Sequence, residues 1–490
     1  MQFGSVDYAV LFTYLILTTI LGIRLGRGSS SSTQDYFFAS HTLPWWALSL
    51  SIVATETSTL TFIGIPAFSY SGNLSFFQIA LGYVLGKIAV SFILIPAYFR
   101  NDIKSAYEIL KSRFGTKIRN FTAGLFQLNR ILADGVRLFA TALVLSVVTQ
   151  ISDFWTVVII GSITIIYTFY GGIKAVVWND VLQLIVYLIG ATIAFYFLLI
   201  RVPGGWQNIS YLAEHTNKLR ITEFSFSIEN PYSFVAAIVG GAFLTFATHG
   251  ADQMMVQRYL SCSSQSKAQK GLLLSGLIVT LQFSLFLIIG TLLYSFYQHY
   301  PNHNLPSDSQ RIFPFFIVEE MPQGISGLMI ASVFAAAMST LSSSLNSLAS
   351  STLNDFYLPY RSSRTSGKNN VLLSKVFTVI WGIFLIGVSL LARNWGSVLE
   401  VGLSITSVVM GAVLGAFLIG QWTRVKSELA VLTAMISGLV VVLLVICNRT
   451  YDWKLFPSIG WTWYILIGAT TTIVVGITLD KIRDYSNAKI

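Results

Sequence analysis

The chain is a succession of apolar runs separated by short polar stretches. A helix needs about 20 apolar residues to cross the hydrocarbon of a bilayer. Runs near that length predict about thirteen helices, near residues 6–26, 45–69, 76–99, 121–148, 154–170, 176–200, 232–256, 271–297, 324–353, 372–392, 398–422, 429–447 and 458–479. The ninth is rich in Ala and Ser and is expected to score poorly on hydropathy. No stretch between the runs is long enough for a separate soluble domain. Residues 1–490 therefore read as a single all-α polytopic membrane domain.

Composition agrees with that pattern. Hydrophobic residues make up 54% of the chain and charged residues 11%, whereas soluble proteins carry roughly a quarter charged. The net charge of +10 does not call for nucleic acid, because the basic residues collect in one set of alternate loops. These hold Arg24, Arg27, Arg100, Lys104, Lys111, Arg113, Lys117, Arg119, Lys174, Arg258, Lys267, Lys270, Arg361, Arg364, Lys368, Lys375, Arg424 and Lys426, and the C-terminal tail adds Lys481, Arg483 and Lys489. The opposite loops hold only Arg201, Lys218, Arg220, Arg311, Arg393, Arg449 and Lys454. Cytoplasmic loops gather Lys and Arg, so the N-terminus is expected outside and the C-terminus inside a cell (inner) membrane. Arg24 and Arg27 follow the first apolar run and no basic residue precedes it, the wrong order for a cleaved signal peptide. Lys87, Arg130 and Arg137 are left at membrane depth.

Two spans are interrupted. The second runs Thr55-Glu56-Thr57-Ser58-Thr59-Leu60-Thr61 before Gly64-Ile65-Pro66, and the seventh runs Thr245-Phe246-Ala247-Thr248-His249-Gly250-Ala251-Asp252-Gln253. A carboxylate at mid-bilayer costs at least about 2.5 kcal/mol and faces a cavity or a partner. Irregular backbone at that depth persists only when protein-buried or lining water. With residues 6–26 set aside as an extra helix, the interruptions open two groups of five spans, 45–200 and 232–422, followed by two C-terminal helices at 429–479. An odd number of spans per group inverts the second, and paired breaks of this kind point to a transporter site. In the ninth span Ser339, Ser342, Ser343 and Asn346 recur at helical spacing. Their uncharged oxygens suit a hard monovalent cation, or else form a small-residue packing seam. Asp180, in Trp178-Asn179-Asp180, reads as a helix cap or as a carboxylate reaching toward a cation.

These segments together resemble the sodium/solute symporter family, and within it the bacterial sialic acid transporters. The resemblance rests on Ala54 to Pro66, on Tyr167-Thr168-Phe169-Tyr170-Gly171-Gly172, on Trp178 to Asp180, on Gln253 through Tyr259, and on Ala336 to Asn346. It implies the leucine-transporter-like fold of two inverted five-helix repeats, and alternating access driven by sodium. It implies a main sodium site at Ala54, Thr57, Ala336, Ser339 and Thr340, and a second at Asp180, Ser339, Ser342 and Ser343. For the solute it implies Glu56, Ser58, Thr61, Phe76 and Gln78.

Arg137, His249 and Gln253 join that set as candidates from their positions, although Gln253 and Asp252 alternatively cap the resumed helix. Two departures count against sialic acid itself. Glu56 stands where the sialic acid transporters have a neutral residue, and their carboxylate-binding arginine falls near Ala133, one turn from Arg130 and Arg137. Glu56 either contacts the solute or pairs with Arg130 or Arg137, and Arg137 can pair with Asp134 three residues away. Arg258 reads as a topological or gating charge. The implied function is sodium-coupled symport of a small organic solute (sugar, sugar acid, monocarboxylate or amino-acid-like), with sodium as coupling ion and no other cofactor. The partners are solute, sodium and lipid, with no nucleic acid. A proton-coupled symporter is the rival, since Glu56, Asp134 and Asp180 could titrate. A membrane enzyme is disfavoured, because the histidines form no ligand spacing such as H-E-x-x-H and Cys262 and Cys447 follow no redox or metal pattern.

Overall fold

A computed structural model describes residues 3–26, 32–100, 103–149, 151–302, 304–360, 367–392 and 398–487. Arg27, Arg361, Arg364, Arg393 and Lys489, used above to orient the chain, lie outside these residues, as does His303. The long helices are α1 (Ser5–Gly26), α2 (Trp45–Glu56), α3 (Thr59–Ser71), α4 (Phe76–Ala89), α5 (Thr116–Thr149), α6 (Asp153–Arg201), α7 (Phe234–Gly250), α8 (Gln253–Leu260), α9 (Gln265–His299), α10 (Ile325–Ser351), α11 (Gly367–Leu391), α12 (Val398–Trp422), α13 (Glu428–Thr450) and α14 (Tyr464–Asn487).

Among the described residues, nine helices are long and apolar enough to cross a membrane, or eleven if each of two bent pairs is one span. Two features separate that count from thirteen. The helix α5 carries Arg130, Asp134 and Arg137 in its middle. The helix α6 has 49 residues, roughly 74 Å at 1.5 Å per residue and more than twice the hydrocarbon thickness. Gly172 divides it with φ 56° and ψ −169°. A side chain is excluded there twice over, by the positive φ and because a Cβ would lie 2.5 Å from the Tyr36 carbonyl oxygen.

The bent pairs are the two interrupted segments. The α2 and α3 axes differ by 62° and those of α7 and α8 by 60°. Thr57 (φ −85°, ψ 98°) and Ser58 (φ −95°, ψ 176°) are extended, which ends α2 abruptly. Pro66 lies well inside α3, so the break comes from the Thr/Ser run and not from the proline. The second break falls at Ala251 and Asp252, where the Asp252 carboxylate caps α8 by accepting from Met254 N at 2.8 Å.

The helix α10 is the most enclosed, with nearly every residue from Ser326 to Ser351 buried. Small side chains let neighbouring helices approach it closely. It qualifies as a span, against the expectation of a poor score, because Ile, Leu, Met, Val and Phe between 325 and 338 offset the serines. The extra helix α1 packs against α6 and α10, and α13 and α14 pack on each other and on α12.

Candidate functional site

The end of α2 meets the middle of α10. A helix end leaves its last carbonyls without intrahelical donors, and here another helix supplies hydroxyls to them. Ser339 Oγ donates to the Ala54 carbonyl at 2.7 Å, and Thr340 Oγ1 to the Thr55 carbonyl at 3.1 Å. Both hydroxyls also reach the Ala336 carbonyl, at 3.2 and 3.4 Å. Ala54, Ala336, Ser339 and Thr340 therefore converge, all buried. Thr57 sits at the break, with its hydroxyl accepting from Gln282 Nε2 of α9 at 2.6 Å. The second break follows the same rule, since Tyr259 donates to the His249 carbonyl at 2.9 Å and Tyr98 to the Gly250 carbonyl.

Asp180 lies inside a helical stretch of α6, eight residues beyond the Gly172 kink, so it caps nothing. Its Oδ2 accepts from Ser51 at 2.5 Å and from Arg258 Nη2 at 3.0 Å, with Thr55 at 3.4 Å. Ser343 contacts Thr55 at 3.2 Å and Arg258, and donates to the Ser339 carbonyl at 2.7 Å. Ser342 donates to the same carbonyl at 3.2 Å. Of the two readings of Arg258, topological or gating, the topological loop charge is corrected: its side chain is buried and shared among α2, α6 and α10.

Beside the two breaks lies a cavity of about 120 Å³, room for about four waters at the roughly 30 Å³ each takes in the liquid. Glu56, Ser58, Thr61, Phe76, Arg137 and His249 line it. Gln78 and Gln253 do not. Gln78 donates to the Ser75 and Tyr232 carbonyls, and Gln253 accepts from Ala106 N at 2.7 Å. Arg130, weighed above beside Arg137, lines it too, and sequence reasoning passed over Tyr83, Thr248 and Thr406.

The membrane charges are paired differently from the expectation for Glu56. Its partner is neither arginine. Lys87 Nζ donates to Glu56 Oε2 at 2.7 Å and to Ser275 Oγ at 3.1 Å, and His249 Nε2 stands 3.4 Å from the same carboxylate oxygen. Arg130 Nε donates to Asp252 at 3.1 Å and its guanidinium lies 3.8 Å from Asp134. Arg137 pairs with Asp134, which also accepts from Ser344 of α10. Lys87 was visible as a solitary charge at membrane depth, which itself signals a partner. Among the described residues no three His, Cys, Asp or Glu side chains gather to hold a metal ion. The oxygens at the α2–α10 contact are hydroxyls and carbonyls, suited to a hard monovalent cation.

Comparison with known proteins agrees with this geometry. The model of the sodium:solute symporter family matches residues 36–438. The chain is 29% identical to the sodium/sialic acid symporter of Aliivibrio fischeri, over all of this chain and 97% of that one. It is 30% identical to the sodium/sialic acid symporter of Proteus mirabilis, over 97% of this chain and 95% of that one. The human sodium/iodide cotransporter is 29% identical, over 91% of this chain and 70% of its own length. A solved sodium-coupled sialic acid symporter, substrate-bound and outward-open with a novel sodium site, superposes with a TM-score of 0.89 at 29% identity and 98% coverage of both chains. A nucleobase-cation-symport-1 family transporter shares the fold alone, with a TM-score of 0.56 at 16% identity over 92% of this chain and 94% of that one. These matches give the chain the leucine-transporter-like fold, and it belongs to the sodium:solute symporter family as a multi-pass, sodium-coupled solute transporter and not an enzyme.

Proposed function

We propose that this chain imports a sialic acid-like sugar acid together with sodium, by alternating access. One observation carries the proposal: Ser339 and Thr340 of α10 bond the carbonyls of Ala54 and Thr55 freed by the α2 break, immediately beside the cavity lined by Glu56 and Ser58. A sodium ion entering between these oxygens ties α10 to the broken span, and the solute lies against that same span. Ion and solute then stabilise one conformation together, which is the thermodynamic content of coupling. The main sodium ion is held by Ala54, Thr57, Ala336, Ser339 and Thr340, and the second by Asp180, Ser339, Ser342 and Ser343.

Charge balance supports an anionic solute. Lys87, Arg130 and Arg137 are matched by Glu56, Asp134 and Asp252. A carboxylate offsets the charge of the main sodium ion beside it, and a net charge at this depth is costly. Arg137 is the receptor for the carboxylate: its side chain keeps 19% exposure despite the bond to Asp134, and it lines the cavity one turn from Ala133. Glu56 Oε2 is engaged by Lys87, so the carboxylate presents Oε1 to hydroxyl or amide N–H groups of the sugar. Proton coupling is disfavoured at Glu56 and Asp134, because each already faces a cationic side chain.

The chain crosses the membrane thirteen times, with α6 counted twice at Gly172 and α5 counted despite its charges. The N-terminus is outside, the C-terminus inside, and residues 45–200 and 232–422 form inverted repeats. The test is uptake of labelled N-acetylneuraminate into proteoliposomes under an inward sodium gradient, with choline replacing sodium at fixed pH as control. Sodium-dependent accumulation is expected. Equal uptake in choline removes the coupling, and sodium-dependent uptake of neutral sugars but no sugar acid removes the solute class.

A further inference from the structure

Asp180 uses only one of its two carboxylate oxygens. Oδ2 accepts from Ser51, Thr55 and Arg258, whereas Oδ1 is buried without a hydrogen-bond donor. Buried polar atoms in native proteins nearly always have a partner, and an exception marks the place of one.

This oxygen has company. On the same helix, Asn179 and Gln183 each bury both amide heavy atoms without a partner. From α1, the Tyr14 hydroxyl is likewise buried and unpartnered, and it stands beside Gln183 and Tyr167. Tyr167, whose hydroxyl donates to the Met338 carbonyl of α10 at 2.8 Å, is in turn beside Ser342 and Asp180. The Asn179 amide turns toward Gly22 of α1, whereas Tyr14, Gln183 and Tyr167 form a contiguous polar row that reaches Asp180 and Ser342 of α10.

The helix α1 is fixed so that Tyr14 stays there. At its start Asp7, fully buried, accepts from Gly324 N at 2.7 Å, Ser326 Oγ at 2.6 Å and Gly327 N at 2.8 Å, the first donors of α10. At its other end Gly26 lies so close to α6 that a Cβ would come within 2.1 Å of the Tyr170 carbonyl oxygen. Asp7, Leu11, Tyr14, Thr18 and Gly22 form the buried face between these anchors, at the three- and four-residue spacing of one helix side.

We propose that α1 is a working part of the second cation site: Tyr14 and Gln183 close a buried polar chamber around Asp180 Oδ1 and Ser342 and hold the water that completes the shell of a sodium ion there. Hydroxyl, amide carbonyl and carboxylate oxygens are the ligand types a hard cation takes, and Arg258 on Oδ2 leaves Oδ1 free to face the ion. This rests on the sodium-coupled reading above and extends it to a helix outside the two five-span groups.

The experiment measures N-acetylneuraminate uptake against sodium concentration in proteoliposomes of wild type, Tyr14→Phe and Gln183→Leu. Tyr14→Phe removes one oxygen and keeps the ring, so folding is retained, and a thermal melt of each purified variant checks this. Loss of one hydrogen-bonding oxygen is expected to raise the half-saturating sodium concentration by about two- to tenfold and to lower the Hill coefficient for sodium toward one. The solute KM at saturating sodium stays at the wild-type value. Unchanged sodium dependence in both folded variants overturns the inference while leaving sodium coupling intact. Sodium-independent uptake by the wild type overturns the coupling itself, and this inference with it.

Discussion

Arg258 Nη2 lies 3.0 Å from Asp180 Oδ2, and both side chains are almost wholly buried. The guanidinium also donates from Nε to Ser51 Oγ at 3.0 Å and from Nη1 to the Met254 carbonyl at 2.9 Å. The pair ties α8, the short half of the second broken span, to α6 and α2. Removing one partner strands a buried charge, which costs about 3–5 kcal/mol, whereas removing both is far milder. Arg258→Met is therefore expected to lose a large part of the folding stability, and Arg258→Met with Asp180→Asn to recover most of it. Denaturant titrations in detergent of both single variants and the double variant give the coupling energy. A value near zero shows that the two residues do not depend on each other.

The same logic applies to Lys87 and Glu56 across the cavity wall. Lys87→Met leaves the Glu56 carboxylate facing the imidazole of His249 in place of an ammonium, and lower expression and a lower melting temperature are expected. Adding Glu56→Gln restores folding, because the two substitutions together leave no unpaired charge. The solute affinity of the double variant still falls, since an amide oxygen is a weaker acceptor than a carboxylate oxygen. A double variant with wild-type KM for N-acetylneuraminate removes Glu56 from the solute contacts.

The breaks and the α10 serines were legible because each is a local run: Thr55 to Thr61, Thr245 to Gln253, and Ser339 to Asn346 stand out against apolar surroundings. Of the charge pairs, the local one between Arg137 and Asp134 was legible, but the others were not, because they join residues far apart in the chain. Glu56 and Lys87 are 31 positions apart, and Asp180 and Arg258 are 78 apart. Nothing local told Arg258, near a basic loop, from its exposed neighbour Lys267. Gln78 and Gln253 were drawn into the solute site by motif position, yet their amides satisfy backbone groups elsewhere. The placement of α1 was hidden for a related reason: Asp7 and Tyr14 look like ordinary helix residues until α6 and α10 are beside them.

Cys262 sits in the turn between α8 and α9 and is buried. Burial pushes its thiol up to about 12, with Lys267 opposing weakly. The thiolate is the reactive form. The folded protein therefore keeps Cys262 protonated throughout the usual labelling range, and reactivity returns only as pH approaches that value. Maleimide treatment of a Cys447→Ser variant at pH 8 is expected to label slowly in the native state and fast in denaturant. Rapid native labelling means that the α8–α9 turn opens readily.

Ser339 and Thr340 give the most direct check on the ion site, because each hydroxyl has one identified carbonyl across the contact. Ser339→Ala removes the oxygen that meets Ala54, and a rise of about tenfold in the half-saturating sodium concentration is expected, equivalent to about 1.4 kcal/mol. Thr340→Ala behaves similarly. Thr340→Ser stays close to wild type, because the hydroxyl survives and only a methyl group is lost. At saturating sodium all three variants share the wild-type KM for solute, since neither side chain lines the cavity. This contrast separates an ion ligand from a packing residue: a seam that needed volume is disturbed by Thr340→Ser at least as much as by Ser339→Ala, whereas an oxygen site distinguishes them. Sodium titrations in which Thr340→Ser and Thr340→Ala coincide assign the contact to packing.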